Sequence, residues 1–250
     1  MALYLGSNNV KFNGTIILGK DESAFNEILT RTISRYDNPF ISEIGVGAFA
    51  YCTALTTINL PNVTTIKHDA FWACANLSDI NLPKVTTIED FGFQDCGKLI
   101  SINFSKVVTI GSEAFSGCTS LTSVNLPLVS VIEEGTFYKC KSLTTINIPI
   151  VNMIGSSAFW YCYSLSSIEL PKINTISSFA FEGCYNLLSL YLPGDSIPTL
   201  GLNVFSSTPI SNYTASTGGV YGSIYVPASL YSSYLTATGW SVYSSKIVSR

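Results

Sequence analysis

Seven cysteines stand at Cys52, Cys74, Cys96, Cys118, Cys140, Cys162 and Cys184, each 22 residues after the last, and none lies elsewhere. Thiolates are nucleophiles and metal ligands, and paired thiols form disulfides. Tetrahedral zinc needs convergent ligands, commonly a C-x-x-C pair, which this spacing does not supply. An odd count in identical phase also does not read as a disulfide framework. Side chains in one column of stacked units point in parallel, and a buried Cys behaves as a small hydrophobe. All seven are therefore expected to be reduced and buried, with no metal bound.

The single histidine, His68, sits in a polar turn between Lys67 and Asp69. It is the one base available to any Ser-His or Cys-His pair, and no nucleophile motif accompanies it. No glycine-rich phosphate loop follows a strand. No catalytic residue and no cofactor are assigned, and the chain is expected not to be an enzyme. Glu89, Asp90, Glu113, Glu133 and Glu134 recur just before the same stretch of adjacent units. A hard cation such as Ca²⁺ would need six or more converging oxygens; favourable charge at helix N-termini is the plainer account.

What positions these groups is the repeat itself, and a period of 22 marks a solenoid of stacked units. Three columns, an Ile, a small residue and a Phe, run through seven units of the chain, from Ile44, Ala48 and Phe49 to Ile176, Ala180 and Phe181. Each Cys follows its Phe by three residues, and each Leu, from Leu55 to Leu187, follows its Cys by three. The segment L-x-x-I-x-L alternates, as in Leu55-Thr-Thr-Ile58-Asn-Leu60, and predicts a short half-buried strand. A Pro usually follows (Pro61, Pro83, Pro127, Pro149, Pro171, Pro193, with Ser105 the exception) and marks where pairing stops. The A-F-x-x-C stretch has the i, i+3 spacing of one helical or 3₁₀ turn. No unit buries its apolar side alone, so several must stack.

L-x-x-I-x-L is the strand motif of leucine-rich repeats, and A-F-x-x-C-x-x-L-x-x-I-x-L-P resembles the BspA-like repeats of bacterial surface proteins over roughly residues 33–210. The resemblance implies an α/β fold: a right-handed leucine-rich-repeat solenoid with a concave parallel sheet, short helical or 3₁₀ convex turns, and caps at both ends. Val63, Val85 and Val107 occupy the place where such repeats often carry a buried Asn, so an internal Asn ladder is expected to be missing. The family also implies surface attachment and binding of a host protein or a glycan. The opening Tyr4-Leu5-Gly6-Ser7-Asn8-Asn9-Val10-Lys11 resembles the start of phage and prophage tail-appendage proteins of gut Firmicutes, which implies a virion alternative.

The expected organisation is an N-terminal segment with capping helix and degenerate repeat (1–43), the repeats (44–210) and a C-terminal cap (211–250). The helix is placed at 21–33, with Asp21 as N-cap and Phe25, Ile28, Leu29 and Ile33 as its apolar face. The C-terminal cap is read as helical over 228–247, through Leu230, Tyr234, Leu235, Trp240, Tyr243 and Ile247. The formal charge of −3 gives no basic footprint for nucleic acid. No apolar run approaches the ~20 residues of a membrane helix, so no membrane insertion is expected. The start MALYLGSNNVKF lacks a basic n-region and a long apolar h-region, so no Sec signal peptide is expected in this chain. The expected location is extracellular, as a bacterial cell-surface or virion component.

Two surfaces are candidates for ligand contact. Tyr138 and Trp160 share one repeat position in adjacent units, Tyr163 and Tyr185 share another, and Tyr161 lies between, forming an aromatic cluster on the helical edge. Such rings stack on sugars and anchor interfaces, or they shield the turns beneath them. On the concave face the outward positions pair hydroxyls with an amide column that includes Asn103, Asn125 and Asn147. Amides and hydroxyls suit neutral sugars and equally suit a solvated sheet. The aromatic edge is ranked first, with a cell-surface glycan or protein as the partner.

Overall fold

In the computed structural model the described residues are 34–212 and 218–250. The helix placed at 21–33 and the opening motif at 4–11 lie outside them. Strands are numbered in chain order and fall into two sets. The longer set is β1 (Arg35–Asp37), β3 (Thr57–Asn59), β5 (Asp79–Asn81), β7 (Ser101–Asn103), β9 (Ser123–Asn125), β11 (Thr145–Asn147), β13 (Ser167–Glu169), β15 (Ser189–Tyr191), β17 (Ser223–Val226) and β18 (Ile247–Ser249). The shorter set is β2 (Glu43–Ile44), β4 (Thr65–Ile66), β6 (Thr87–Ile88), β8 (Thr109–Ile110), β10 (Val131–Ile132), β12 (Met153–Ile154), β14 (Thr175–Ile176) and β16 (Thr199–Leu200). Every pairing is parallel, and all but those made by β16, β17 and β18 to the strand before them keep the 22-residue register, such as Ile58↔Ile80 and Ile66↔Ile88. The L-x-x-I-x-L strands are the long set, as the alternation predicts. The Ile column forms a second ladder, which two-residue strands are too short to announce by periodicity.

The long ladder is interrupted between β5 and β7 and between β11 and β13, and the short ladder between β8 and β10. The first interruption coincides with Phe104, the one ring in a column of Leu and Ile; it reaches Phe93 at 6.2 Å and Phe115 at 6.3 Å.

The third side of each rung differs from the expected helical turn. The i, i+3 hydrogen bonds are present: Ala48 N–H to Gly45 O, Ala50 N–H to Gly47 O, and Cys52 N–H to Phe49 O. But the residues two before and two after each Phe have positive φ, from Gly47 (61°) and Tyr51 (62°) to Asn203 (54°) and Ser207 (56°). A positive φ at the third residue of an i→i+3 turn is the type II pattern, so the stretch is a run of overlapping turns and not a 3₁₀ helix. The central peptide of a type II turn stands across the turn plane. Its N–H therefore points along the solenoid axis to the next rung, Gly47 to His68 O and Tyr51 to Trp72 O, and the Phe49 N–H between them bonds the same way, to Ala70 O. The same three bonds recur at each of the seven joints up to Phe181 to Val204 O and Gly183 to Ser206 O, without the interruptions seen in the strand ladders.

Inside this spine the Phe rings from Phe49 to Phe205 stack continuously, with centroids 5.0–5.9 Å apart and planes within 15°. The seven thiols are free and buried. From Cys74 onward each S–H donates to the Phe carbonyl of the preceding rung at 2.9–3.2 Å. Pro61 and its equivalents have a further role. Val63 N–H returns to Leu60 O, so Pro occupies the second position of a β-turn, where its fixed φ is an advantage.

At the C-terminal end, residues 228–230 and 241–246 are 3₁₀ turns flanking helix α1 (Tyr231–Thr236). Trp240 and Tyr243 lie against Phe205 at 6.3 and 5.4 Å, and Trp240 Nε1 donates to Pro198 O at 2.7 Å. Tyr234 is fully buried edge-on to Trp240 at 5.2 Å, and burial pushes its phenol up to about 12. Ile247 opens strand β18 and does not close a helix.

Two outcomes are expected. Ala73 holds φ 57° at one of the left-handed positions, so Ala73→Gly should stabilise by about 0.5–1 kcal/mol, the relief of αL strain less the entropy of Gly; a lowered denaturation midpoint would contradict the turn assignment. The thiols give a pH signature. Burial pushes Cys52 up to about 12 and the other six upward as well. Folded thiols keep protons that unfolded thiols lose near ~8.5, so this stability is whole below that pH and declines above it, by up to ~1.4 kcal/mol per pH unit per thiol. Denaturant midpoints should hold to about pH 8 and fall beyond about pH 9, less steeply in Cys118→Ala. Alkylation without reductant should label all seven in denaturant and none in the native state. Equal alkaline slopes, or five or fewer labels, would rule out the buried-thiol account.

Candidate functional site

The turn spine places the first candidate cluster. Positions one and two after each Phe sit on the outer side of the turn, and adjacent rungs hold them in register. Tyr138, Trp160, Tyr161, Tyr163 and Tyr185 are brought together as predicted and are all half-buried. Tyr163 and Tyr185 stack face to face at 4.9 Å and 11°. Tyr161 touches both, at 5.7 and 6.4 Å. Trp160 packs on Tyr138 at 5.4 Å, on Tyr161 at 5.2 Å and on Phe179 at 6.3 Å. Lys139 lies over the Tyr138 ring and Lys141 near that of Tyr163, at 4.8 and 5.8 Å. The Trp160 Nε1–H, like the Tyr234 hydroxyl of the C-terminal cap, is buried without a hydrogen-bond partner from the protein. Phe179 and the two lysines were not part of the predicted set; Phe179 occupies a left-handed position, where its ring turns outward.

The amide column reads differently. Asn125 Nδ2 donates to Asn103 Oδ1, and Asn147 Nδ2 to Asn125 Oδ1, each at 2.7 Å. A second run links Asn81 to Asn59 at 2.6 Å and Asn59 to Asp37 at 2.7 Å. An Asn ladder therefore exists, on the outside of the sheet and not within the core, where Val63, Val85 and Val107 are buried. Each interior amide spends one donor and one acceptor on its neighbours, which reduces what it offers a ligand.

The titratable groups are held in contacts between rungs. Glu89 accepts from Lys67 at 3.0 Å and from the His68 N–H at 3.1 Å, and Asp90 accepts from the Ser112 N–H at 2.8 Å. Glu113 accepts from Gln94 at 2.9 Å, and its carboxyl is raised by burial and then by the nearby Glu134 charge. His68 Nε2 lies 3.1 Å from Asp69, and its ring meets Phe91 edge-on at 5.1 Å. Among the described residues no group of three His, Cys, Asp or Glu is arranged to hold a metal ion, and no helix is long and apolar enough to cross a membrane.

A parallel-strand solenoid with in-register Leu, Ile, Phe and Cys columns and turns for its third side defines a leucine-rich-repeat protein. The model of the BspA type leucine rich repeat region matches residues 42–151 and 108–221. The chain belongs to this family. A leucine-rich repeat protein from Bacteroides ovatus superposes with a TM-score of 0.59 at 23% identity, over 84% of this chain and 59% of its own. A leucine rich cell surface protein from Faecalibacterium prausnitzii gives a TM-score of 0.52 at 24% identity, over 71% of this chain and 68% of its own. A leucine-rich repeat protein from Eubacterium ventriosum gives 0.57 at 32% identity, over 62% of this chain and 44% of its own. This chain thus spans less than two thirds of the Bacteroides and Eubacterium proteins. No curated protein matches it significantly.

The platform has a built-in test. Gly183 holds φ 68°, and a Cβ there would run into the Tyr161 ring. Gly183→Ala should cost about 1–3 kcal/mol, part backbone strain and part ring displacement. In a Tyr161→Ala background the second part should vanish. An unchanged cost in that background would mean that the ring does not rest on Gly183.

Proposed function

We propose that the protein is a non-catalytic recognition or adhesion module, carried on a bacterial cell surface or a virion, that binds a cell-surface glycan or protein through the turn-side aromatic platform. The observation that carries this reading is the convergence of Tyr138, Trp160, Tyr161, Tyr163 and Tyr185 from three successive rungs into one half-buried surface. Energetics favour this surface over the amide face. An exposed amide exchanges water bonds for ligand bonds and nets about 0.5–1.5 kcal/mol. A ring covered by a sugar or an apolar side chain adds about 25 cal/mol per Å² of apolar area. The amides of the long-strand face are moreover already tied to one another. The Faecalibacterium neighbour, described as a cell surface protein, supports the location.

The competing reading is a rigid spacer or virion part without a ligand; the self-satisfied amide ladder favours it for the long-strand face. Glycan and extracellular-matrix arrays separate the two. Binding is expected, and Trp160→Ala with Tyr163→Ala should abolish it while the melting temperature moves little. A clean blank on both arrays with folded protein supports the spacer. Binding that survives those changes but is lost in Asn103→Ala with Asn125→Ala would move the site to the sheet face.

A further inference from the structure

The outward column of the long ladder changes character towards the C-terminus. Asp37, Asn59, Asn81, Asn103, Asn125 and Asn147 are followed in register by Glu169, Tyr191, Tyr225 and Val248. Tyr191 and Tyr225 stack at 4.7 Å and 13°, and both remain partly exposed, while Val248 is 40% exposed. The Arg250 guanidinium lies 5.4 Å from the Tyr191 ring centre, and the main chain that carries it is anchored to β17, since the Arg250 N–H donates to Val226 O at 2.9 Å. No carboxylate among the described residues pairs with that guanidinium.

We infer that this end of the long-strand face is a second binding site, and that its ligand is a carboxylate-bearing saccharide. The chemistry of the four groups is complementary to one. Each ring of the stacked Tyr pair covers one face of the other, and the outer ring face and the edges left over offer apolar contact to the C–H face of a sugar ring. The guanidinium offers paired N–H donors matched to a carboxylate. The Glu169 carboxylate accepts only, and so suits ring hydroxyls. The site lies on a different side of the rung from the turn-side platform and does not depend on it. A neutral sugar would use the rings but leave the cation idle; an acidic one uses both, and this selects the class.

The probes are 3′-sialyllactose and a hyaluronan tetrasaccharide against lactose, titrated into the full chain by calorimetry and by heteronuclear NMR. The acidic sugars should bind at least about tenfold more tightly than lactose, the scale of one charge-assisted hydrogen-bond pair, with the preference shrinking as salt is added. Arg250→Gln should erase the preference while the protein stays folded, and Tyr225→Ser should weaken all sugars alike. Equal affinity for lactose, no response to Arg250→Gln, or no binding by folded protein would overturn the inference. So would acidic-sugar binding that Arg250→Gln leaves intact and Trp160→Ala with Tyr163→Ala removes. Acidic-sugar binding that is lost in Arg250→Gln but survives Trp160→Ala with Tyr163→Ala, with no neutral glycan or matrix protein bound on the arrays, would instead count against the turn-side platform alone.

Discussion

The peptide planes two residues to either side of each Phe are turned across the rung, so their N–H groups bond along the solenoid axis. Sixteen residues hold the left-handed φ that this requires, and twelve of them are not glycine. An L-residue in the left-handed region costs about 1–2 kcal/mol, so the turn is locally unfavourable in an isolated unit. It becomes favourable when a neighbouring rung supplies the carbonyls. Three aligned hydrogen bonds per joint, one Phe–Phe stack and one S–H···O contact then act at the same place. The strain explains why units fold only as a stack, and the cooperation of backbone and ring explains why this side is continuous where the strand ladders are not.

Much of this was legible in the residues. The 22-residue period, the buried columns and the L-x-x-I-x-L strands follow from apolar spacing, which is a strong signal when repeated seven times. The left-handed turns were not legible, because Tyr51, Asp69, Ala73, Phe91 and Lys139 share no chemistry that announces positive φ. Their spacing from the Phe also imitates a 3₁₀ turn. The members of the turn-side cluster were readable because they lie in phase in adjacent units. Tyr225 and Arg250 escaped for the opposite reason. Tyr225 follows Tyr191 by 34 residues, so a loop of non-repeating length hides their adjacency until β17 pairs with β15.

The two sides of the rung divide the work differently. On the strand side side chains mostly serve their neighbours: Asn to Asn, Thr hydroxyl to the carbonyl 22 residues earlier, as in Thr122 to Ile100 O. On the turn side the backbone already satisfies itself between rungs, so the side chains at the two positions after Phe are not needed to join one rung to the next. They hold Ala, Trp, Gln, Asp, Tyr and Lys in different units without disturbing the ladder. Where the strand side does present large rings, at Tyr191 and Tyr225, it is at the end of the stack, past the last amide.

The thiol column has a consequence for where such a molecule can live. A buried S–H that donates to a fixed carbonyl, and whose pKa is driven up by its surroundings, exposes no thiolate to glutathione, to a disulfide-forming catalyst or to peroxide. Most proteins with this many cysteines are committed by them to one side of a membrane, needing either oxidation to fold or reduction to survive. Here the sulfur is used only for its size and its weak donor. The fold is therefore neutral to redox compartment: the same chain can be assembled in a reducing interior and put to work in an oxidising exterior without a change in its covalent structure.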